Sequence, residues 1–238
     1  MIGAGWSSPV ARLVHTQKVA GSNPAPATKR RDAVKEVNFE YFAEMEPHVR
    51  KVMAGEYSVG ELHSKPVILD LGANIGAFAV WAKHLWPDAE IHSFEPIEFN
   101  IEVFKRNTAG LEGIHLHEMA VGDPLLSQMY IGKNNQGECS QYASDSVVGE
   151  TIPVEVCDPS CDFFRYLAKQ ADFIKMDIEG AETYVLGNMP LKAEYIALEY
   201  HGEEARRDVD RLLRDYHLIG AEVTAVGYGV LKYQKTKK

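Results

Sequence analysis

VILDLGANIGAF, Val67 to Phe78, is the stretch whose reading decides the fold. Val67, Ile68 and Leu69 look like a buried parallel strand, apolar on both faces. Behind a glycine-framed turn, Ile75, Phe78, Ala79, Ala82 and Leu85 repeat at helical spacing. The turn therefore lies at the carboxyl end of a strand, where open α/β sheets bind ligands.

What the turn lacks narrows the ligand. A dinucleotide fingerprint needs G-x-G-x-x-G, but this turn reads Gly72, Ala73, Asn74, Ile75, Gly76, with Asn74 where a second glycine would let backbone approach a pyrophosphate. Ala77 and Phe78 stand where a phosphate-loop lysine and hydroxyl would continue. A second predicted strand, EIHSF (Glu90 to Phe94), ends in Glu95, 23 positions after Gly72. That is close to the spacing of about 20 expected for a carboxylate that grips a ribose diol. Asp70, at the tip of the first strand, is placed to receive an ammonium directly or through water. Ribose, an ammonium and no phosphates describe S-adenosylmethionine.

DLGANIGAF, then FEP at Phe94 to Pro96, AVGD at Ala120 to Asp123 and FIKMDIEGAE at Phe173 to Glu182 together resemble the FkbM-type class I methyltransferases, over roughly Pro66 to Glu199. The resemblance implies a Rossmann-like α/β fold: a mostly parallel seven-stranded sheet with an antiparallel last strand and helices on both faces. It also implies an S-adenosylmethionine-dependent O-methyltransferase acting on sugars, glycans or natural-product hydroxyls. Matching positions carry over the cofactor contacts Asp70, Gly72, Ala73, Asn74, Gly76 and Glu95, with Ala120 and Val121 passing the adenine. Glu118 and Asp123 flank that segment and rank below it.

The acceptor chemistry is expected after the fourth and fifth strands. Alternation places Lys175, Asp177 and Glu179 on one face if the strand runs that far, and IALEYHG delivers Glu199 and His201 beside them. A hydroxyl needs a proton acceptor. His201 or Asp177 is the expected base, with Glu179 orienting it or the acceptor and Lys175 completing the catalytic set. Glu182 reads as a first-turn helix acid. A variant uses Asp177, Glu179, Glu199 and His201 to hold Mg²⁺ or Mn²⁺, although no dedicated metal site is assigned. Asn134, Asn135, Gln136, Ser140, Gln141 and Tyr142, in the excursion between Leu125 and Pro153, are expected to meet the acceptor.

Alternating elements predict the sheet. Strands are expected at 66–70, 89–95, 113–121, 172–178, 193–200, 217–224 and 228–235, and helices at 75–86, 97–108, 160–169, 181–187 and 203–215. The last two strands are too close for a crossover helix and must pair antiparallel. An amphipathic helix is expected over Phe39 to Met53, with no assigned chemistry.

The 238-residue chain carries a net charge of −9, which argues against nucleic acid as the primary partner. No run approaches the roughly 18 apolar residues of a membrane span, so a soluble, cytoplasmic protein is expected. Cys139, Cys157 and Cys161 lack a second ligand pair and read as reduced structural thiols, not as a zinc site. RNA or protein methylation on the same fold, or cofactor binding without catalysis, are the competing functions. Residues 1–37 are expected to be a disordered extension to a domain spanning 38–238. VAGSNPAPAT within it can be encoded by DNA containing GGTTCAAATCC, the T-arm of tRNA genes. The expectation is a translated tRNA gene and a true start at a non-ATG codon such as that of Val34, with targeting by Lys29, Arg30 and Arg31 as the competing reading.

Overall fold

The computed structural model describes residues 10–15, 37–42, 45–131, 139–140, 151–225 and 227–237. The tRNA-like string and the start near Val34 lie outside them. At the N-terminal end, β1 (Val10–His15) pairs antiparallel with β2 (Val37–Phe42), across the expected boundary at 37/38. Polar composition averaged over the leader hides the β-forming run VARLVH.

β2 also replaces the first half of the helix expected over 39–53. Phe39 and Tyr41 are buried, while Glu40 between them bonds Arg106 at 2.9 Å, so the period here is two. Only α1 (Glu46–Met53) is helical, with Pro47 in its first turn and Val49 and Val52 buried.

From there the chain runs β3 (Val67–Leu71), α2 (Ala77–Leu85), β4 (Glu90–Phe94), α3 (Glu98–Asn107), β5 (Ile114–His117), β6 (Ala120–Val121), β7 (Gln128–Ile131), β8 (Cys139–Ser140), β9 (Thr151–Pro153), β10 (Val156–Cys157), α4 (Asp162–Gln170), β11 (Phe173–Met176), α5 (Glu182–Asn188), β12 (Tyr195–His201), α6 (Glu203–Leu212), β13 (Tyr216–Ala225) and β14 (Tyr228–Lys235). Seven strands form one sheet in the order β13-β14-β12-β11-β3-β4-β5. β12, β11, β3, β4 and β5 are parallel, and β14 runs antiparallel to both its neighbours. No described helix is long and apolar enough to cross a membrane.

Strand alternation divides the core between the two faces. Leu69, Leu71, Ile174, Met176, Ile196 and Leu198 pack with α4, α5 and α6, whereas Ile68, Phe173, Tyr195 and Ala197 pack with α1 and α2. On the second face a polar row crosses the sheet, because register pairs Asp70 with Lys175 on one side and with Ser93 on the other. All three are buried.

The strand expected over 113–121 breaks after His117. Ala120 and Val121 leave the main sheet and pair parallel with β10, which carries them to the sheet's carboxyl end. The excursion forms a small sheet, β8-β7-β9. Of the residues expected to meet the acceptor, Ser140 lies on β8, and Asn134, Asn135, Gln136, Gln141 and Tyr142 lie outside the described residues.

Candidate functional site

At the carboxyl ends of β3, β4 and β11 lies an open cleft, lined among others by Gly72, Asn74, Glu95, Val121, Asp177 and Glu179. The glycine turn is tied to β4, since the amides of Gly72 and Ala73 both donate to Phe94 O at 3.1 and 2.9 Å. Gly72 has φ +78°, and a Cβ there would stand 1.8 Å from the carbonyl oxygen of Asp177. Only glycine fits both demands. Asn74 takes a left-handed φ of 49°, which asparagine tolerates better than most residues. Gly76, φ +89°, opens α2 and does not line this cleft.

Glu95 is buried at 4 % exposure and held by three donors: the Asn74 amide to Oε2 at 2.8 Å, and the Ile97 amide and Asn100 Nδ2 to Oε1 at 3.0 and 3.1 Å. Burial pushes its pKa up despite these bonds. Asn100 lines the same cleft, and its Oδ1 is buried with no hydrogen-bond partner among the described residues. Ala120 and Val121 also line the cleft. Glu118 instead pairs with Lys105, and Asp123 accepts the Leu125 amide in a turn.

Asp70 does not reach the cleft. It is fully buried, accepts Ser93 Oγ at 3.1 Å and lies 3.3 Å from Lys175 Nζ. The ammonium it receives is therefore the protein's own. Burial opposes the charge on Lys175, but Asp70 and Asp177 outweigh it and hold that pKa above the usual lysine value. Lys175 Nζ also donates to Gly72 O at 2.6 Å, fastening the glycine turn from behind. The shared face expected for Lys175, Asp177 and Glu179 ends with β11 at Met176, and Glu179 sits in a left-handed turn with φ 53°.

Past the strand tips, His201 Nε2 lies 3.2 Å from Glu179 Oε2, and Nδ1 lies 3.5 Å from Glu182 Oε1. Burial disfavours the imidazolium, yet the two carboxylates dominate and push its pKa up to about 12. His201 is accordingly a cation at neutral pH, not a free base. Glu182 does more than sit in a first helical turn, since its Oε1 accepts the amides of Ile178 and Gly180 at 3.1 and 3.2 Å. Burial raises the Glu179 pKa. Asp177 is also penalised by burial, but Lys175, His48 and His201 lower its pKa, and Tyr57 Oη donates to it at 3.1 Å. Burial and then Asp177 push Glu199 up to about 9. Donor atoms of Asp177, Glu179 and His201 lie within 4.8 Å of one another, the spacing a cation would require.

Sequence reasoning missed Asn100, Tyr57 and His48. His48, on α1, lines a smaller cleft with Ala73, Asn74 and Lys175, and burial lowers its pKa. The residue two turns into a predicted helix carries no local sign of what it will face. For Asn100 a signal was available: a polar side chain on the core-facing side of α3, five positions after Glu95. Cys157 and Cys161 place their sulfurs 3.8 Å apart, and Cys161 Sγ accepts the Phe164 amide at the start of α4. They join no metal-binding group among the described residues.

The pattern described as the Methyltransferase FkbM domain matches residues 70–218. Methyltransferase 1 of Beauveria bassiana (strain ARSEF 2860) is 28% identical over 152 residues, 55% of this chain and 61% of that protein. Methyltransferase sdnD of Sordaria araneosa is 43% identical over 53 residues, 22% of this chain and 20% of its own length. The chain thus spans less than two thirds of either relative. Among solved structures, the Methanococcus jannaschii fibrillarin pre-rRNA processing protein superposes with a TM-score of 0.53 at 11% identity, covering 96% of this chain and 89% of the other. That likeness is one of fold.

Proposed function

This chain belongs to the FkbM methyltransferase family, and we propose that it methylates a hydroxyl of a sugar, glycan or natural-product acceptor. S-adenosylmethionine, when bound, supplies a methyl group already activated on a sulfonium. The residues present suit it: a backbone cradle at Gly72 and a held carboxylate at Glu95, both lining the cleft.

The observation that carries the hydroxyl reading is that Asp177 and Glu179 line the same cleft as Gly72 and Glu95. An alcohol gives up its proton as it is methylated, and a base with a pKa nearer neutrality takes it better. Glu179 fits that role, because burial raises its pKa and His201 fixes its position. The roles assigned from sequence are exchanged: His201 orients and Glu179 accepts. Asp177, ionised and tied to Tyr57, orients the hydroxyl. Lys175 acts from behind, by holding Gly72 and Asp70. A net charge of −9 weighs against an RNA acceptor, and sparse cysteines suit a cytoplasmic setting.

The test is transfer of labelled methyl from S-adenosylmethionine to a panel of sugars, oligosaccharides and polyhydroxylated natural products, alongside RNA and protein. Glu179→Gln should bind S-adenosylhomocysteine normally and lose turnover. Label found only in RNA or protein would remove the acceptor assignment. The donor spacing of Asp177, Glu179 and His201 favours one variant, in which Mg²⁺ or Mn²⁺ would displace the His201 proton, be held by these three residues and lower the hydroxyl pKa. Full turnover after chelation would eliminate that variant.

A further inference from the structure

We propose that Cys157 and Cys161 are a redox-active dithiol, which reacts with a low-molecular-weight disulfide such as oxidised glutathione, closes into a Cys157–Cys161 bond and thereby loosens the wall of the cleft. The effect on binding rests on the S-adenosylmethionine reading above; the bond itself does not. The turn between the cysteines is tied to itself, with the Cys161 amide donating to Asp158 O at 3.0 Å and the Ser160 amide to Asp158 Oδ1 at 2.8 Å. It sets the sulfurs 3.8 Å apart, in van der Waals contact, where a bond needs about 2.05 Å. Helix capping does not account for sulfur at this place. Cys161 is the N-cap of α4 and its Sγ accepts the Phe164 amide at 3.4 Å, a task that a serine, threonine or aspartate oxygen performs better.

The order of reaction follows from burial. Cys161 is partly exposed, whereas Cys157 is buried, and burial followed by the neighbouring Cys161 pushes the Cys157 pKa up to about 12. The thiolate is the nucleophile, so Cys161 attacks first. It gives its proton to water and bonds to one sulfur of oxidised glutathione, whose S–S bond breaks and whose released thiolate is protonated. Cys161 is now uncharged, which removes one cause that keeps Cys157 a thiol. Cys157 then gives its proton to water and attacks Cys161 Sγ, and the second glutathione leaves and is protonated. Two protein thiols are oxidised and one glutathione disulfide is reduced to two glutathiones.

Both cysteines lie behind walls of the cleft. Cys157 pairs with Val121 and its carbonyl accepts the Gly122 amide at 3.2 Å, while Ala120 and Val121 line the cleft. Phe164 loses its cap when Cys161 Sγ turns to Cys157. Its ring packs edge-on against Phe94 at 5.7 Å, and Phe94 O holds the amides of Gly72 and Ala73.

The experiment equilibrates the reduced full chain with mixtures of oxidised and reduced glutathione, quenches with acid, alkylates the remaining thiols and maps the products by tandem mass spectrometry. Wild type should form the Cys157–Cys161 disulfide, distinct from any product at Cys139, and dithiothreitol should reverse it. Cys157→Ser should stop at the mixed disulfide on Cys161, and folded Cys161→Ser should leave Cys157 unmodified. Folded wild type without the disulfide, or Cys157 reacting as readily in Cys161→Ser, would overturn the proposal; the wild-type arm decides it even if a variant fails to fold. Calorimetry on the same samples should show S-adenosylhomocysteine bound about fivefold more weakly by the oxidised form, the scale of one lost helix cap. Equal affinity of the two forms would refute the link to the cleft. If neither form binds while the disulfide maps as expected, the cofactor reading fails and the dithiol stands.

Discussion

Replacing Gly72 by alanine tests whether the close approach of β3 and β11 builds the glycine turn proposed to hold the cofactor. Three glycines share a left-handed backbone and differ in the room around them, so they form a series. At Gly110, φ +81°, an added Cβ meets nothing within 4 Å. Gly110→Ala should therefore cost only the left-handed strain, about 1–2 kcal/mol. At Gly76, φ +89°, the Cβ would touch the Phe104 ring at 3.0 Å. A ring can shift, and overpacking adds about 1 kcal/mol. At Gly72 the obstacle is the Asp177 carbonyl oxygen, 1.8 Å away. That oxygen cannot retreat alone, because the Asp177 amide donates to Leu71 O at 3.0 Å and Lys175 ties Gly72 O at 2.6 Å. Gly72→Ala should cost about 4 kcal/mol or more, a large part of the roughly 5–15 kcal/mol that keeps a domain folded. Urea midpoints at constant m-value give the three costs, and titration with S-adenosylhomocysteine reports the turn itself. A Gly72→Ala protein within about 1 kcal/mol of Gly110→Ala, still binding the cofactor product, would refute the reasoning.

Lys175→Met should destabilise the protein by about 3–5 kcal/mol, because it strands the Asp70 carboxylate in the core, and adding Asp70→Asn should recover part of that loss in urea unfolding. Glu95→Gln should weaken S-adenosylhomocysteine binding at least about tenfold by calorimetry. In wild type, affinity should begin to fall on the acid side at a pH above the usual glutamate value of 4.5, because burial raises the Glu95 pKa and protonation removes its acceptor. His92, stacked on His115 and His117, has a pKa lowered by burial and by those rings from 6.5 to about 4. The unfolded chain binds this proton more readily, so the stability it contributes is full above pH 6.5 and is lost as pH falls towards 4. His92→Gln should flatten the slope of thermal stability against pH within that window.

Legibility followed the range of the interactions involved. Strand, turn and helix at Val67–Phe78 were readable because apolar periodicity and glycine act locally, and the antiparallel β13–β14 pair followed from a connection too short to cross over. The helix over Phe39–Met53 misread because Phe39, Phe42 and Val49 suit a helical period as well as Phe39 and Tyr41 suit a strand, and only pairing with β1 decides between them. The strand over 113–121 was drawn too long because nothing local marks where β6 leaves β5 for β10.

The sequence by itself determined the family, the doubly wound sheet and the residues gathered at its carboxyl end, since these depend on side-chain type and spacing along one chain. Only the tertiary structure decided what each of those residues is. Register set Asp70 against Lys175 and withdrew it from the cleft. Two carboxylates around His201 made it a cation, and donors from Asn74, Ile97 and Asn100 fixed the Glu95 carboxylate beside the cleft. Charge state and hydrogen-bond capacity depend on neighbours within a few ångströms, and those neighbours come from strands and helices that lie far apart in the sequence.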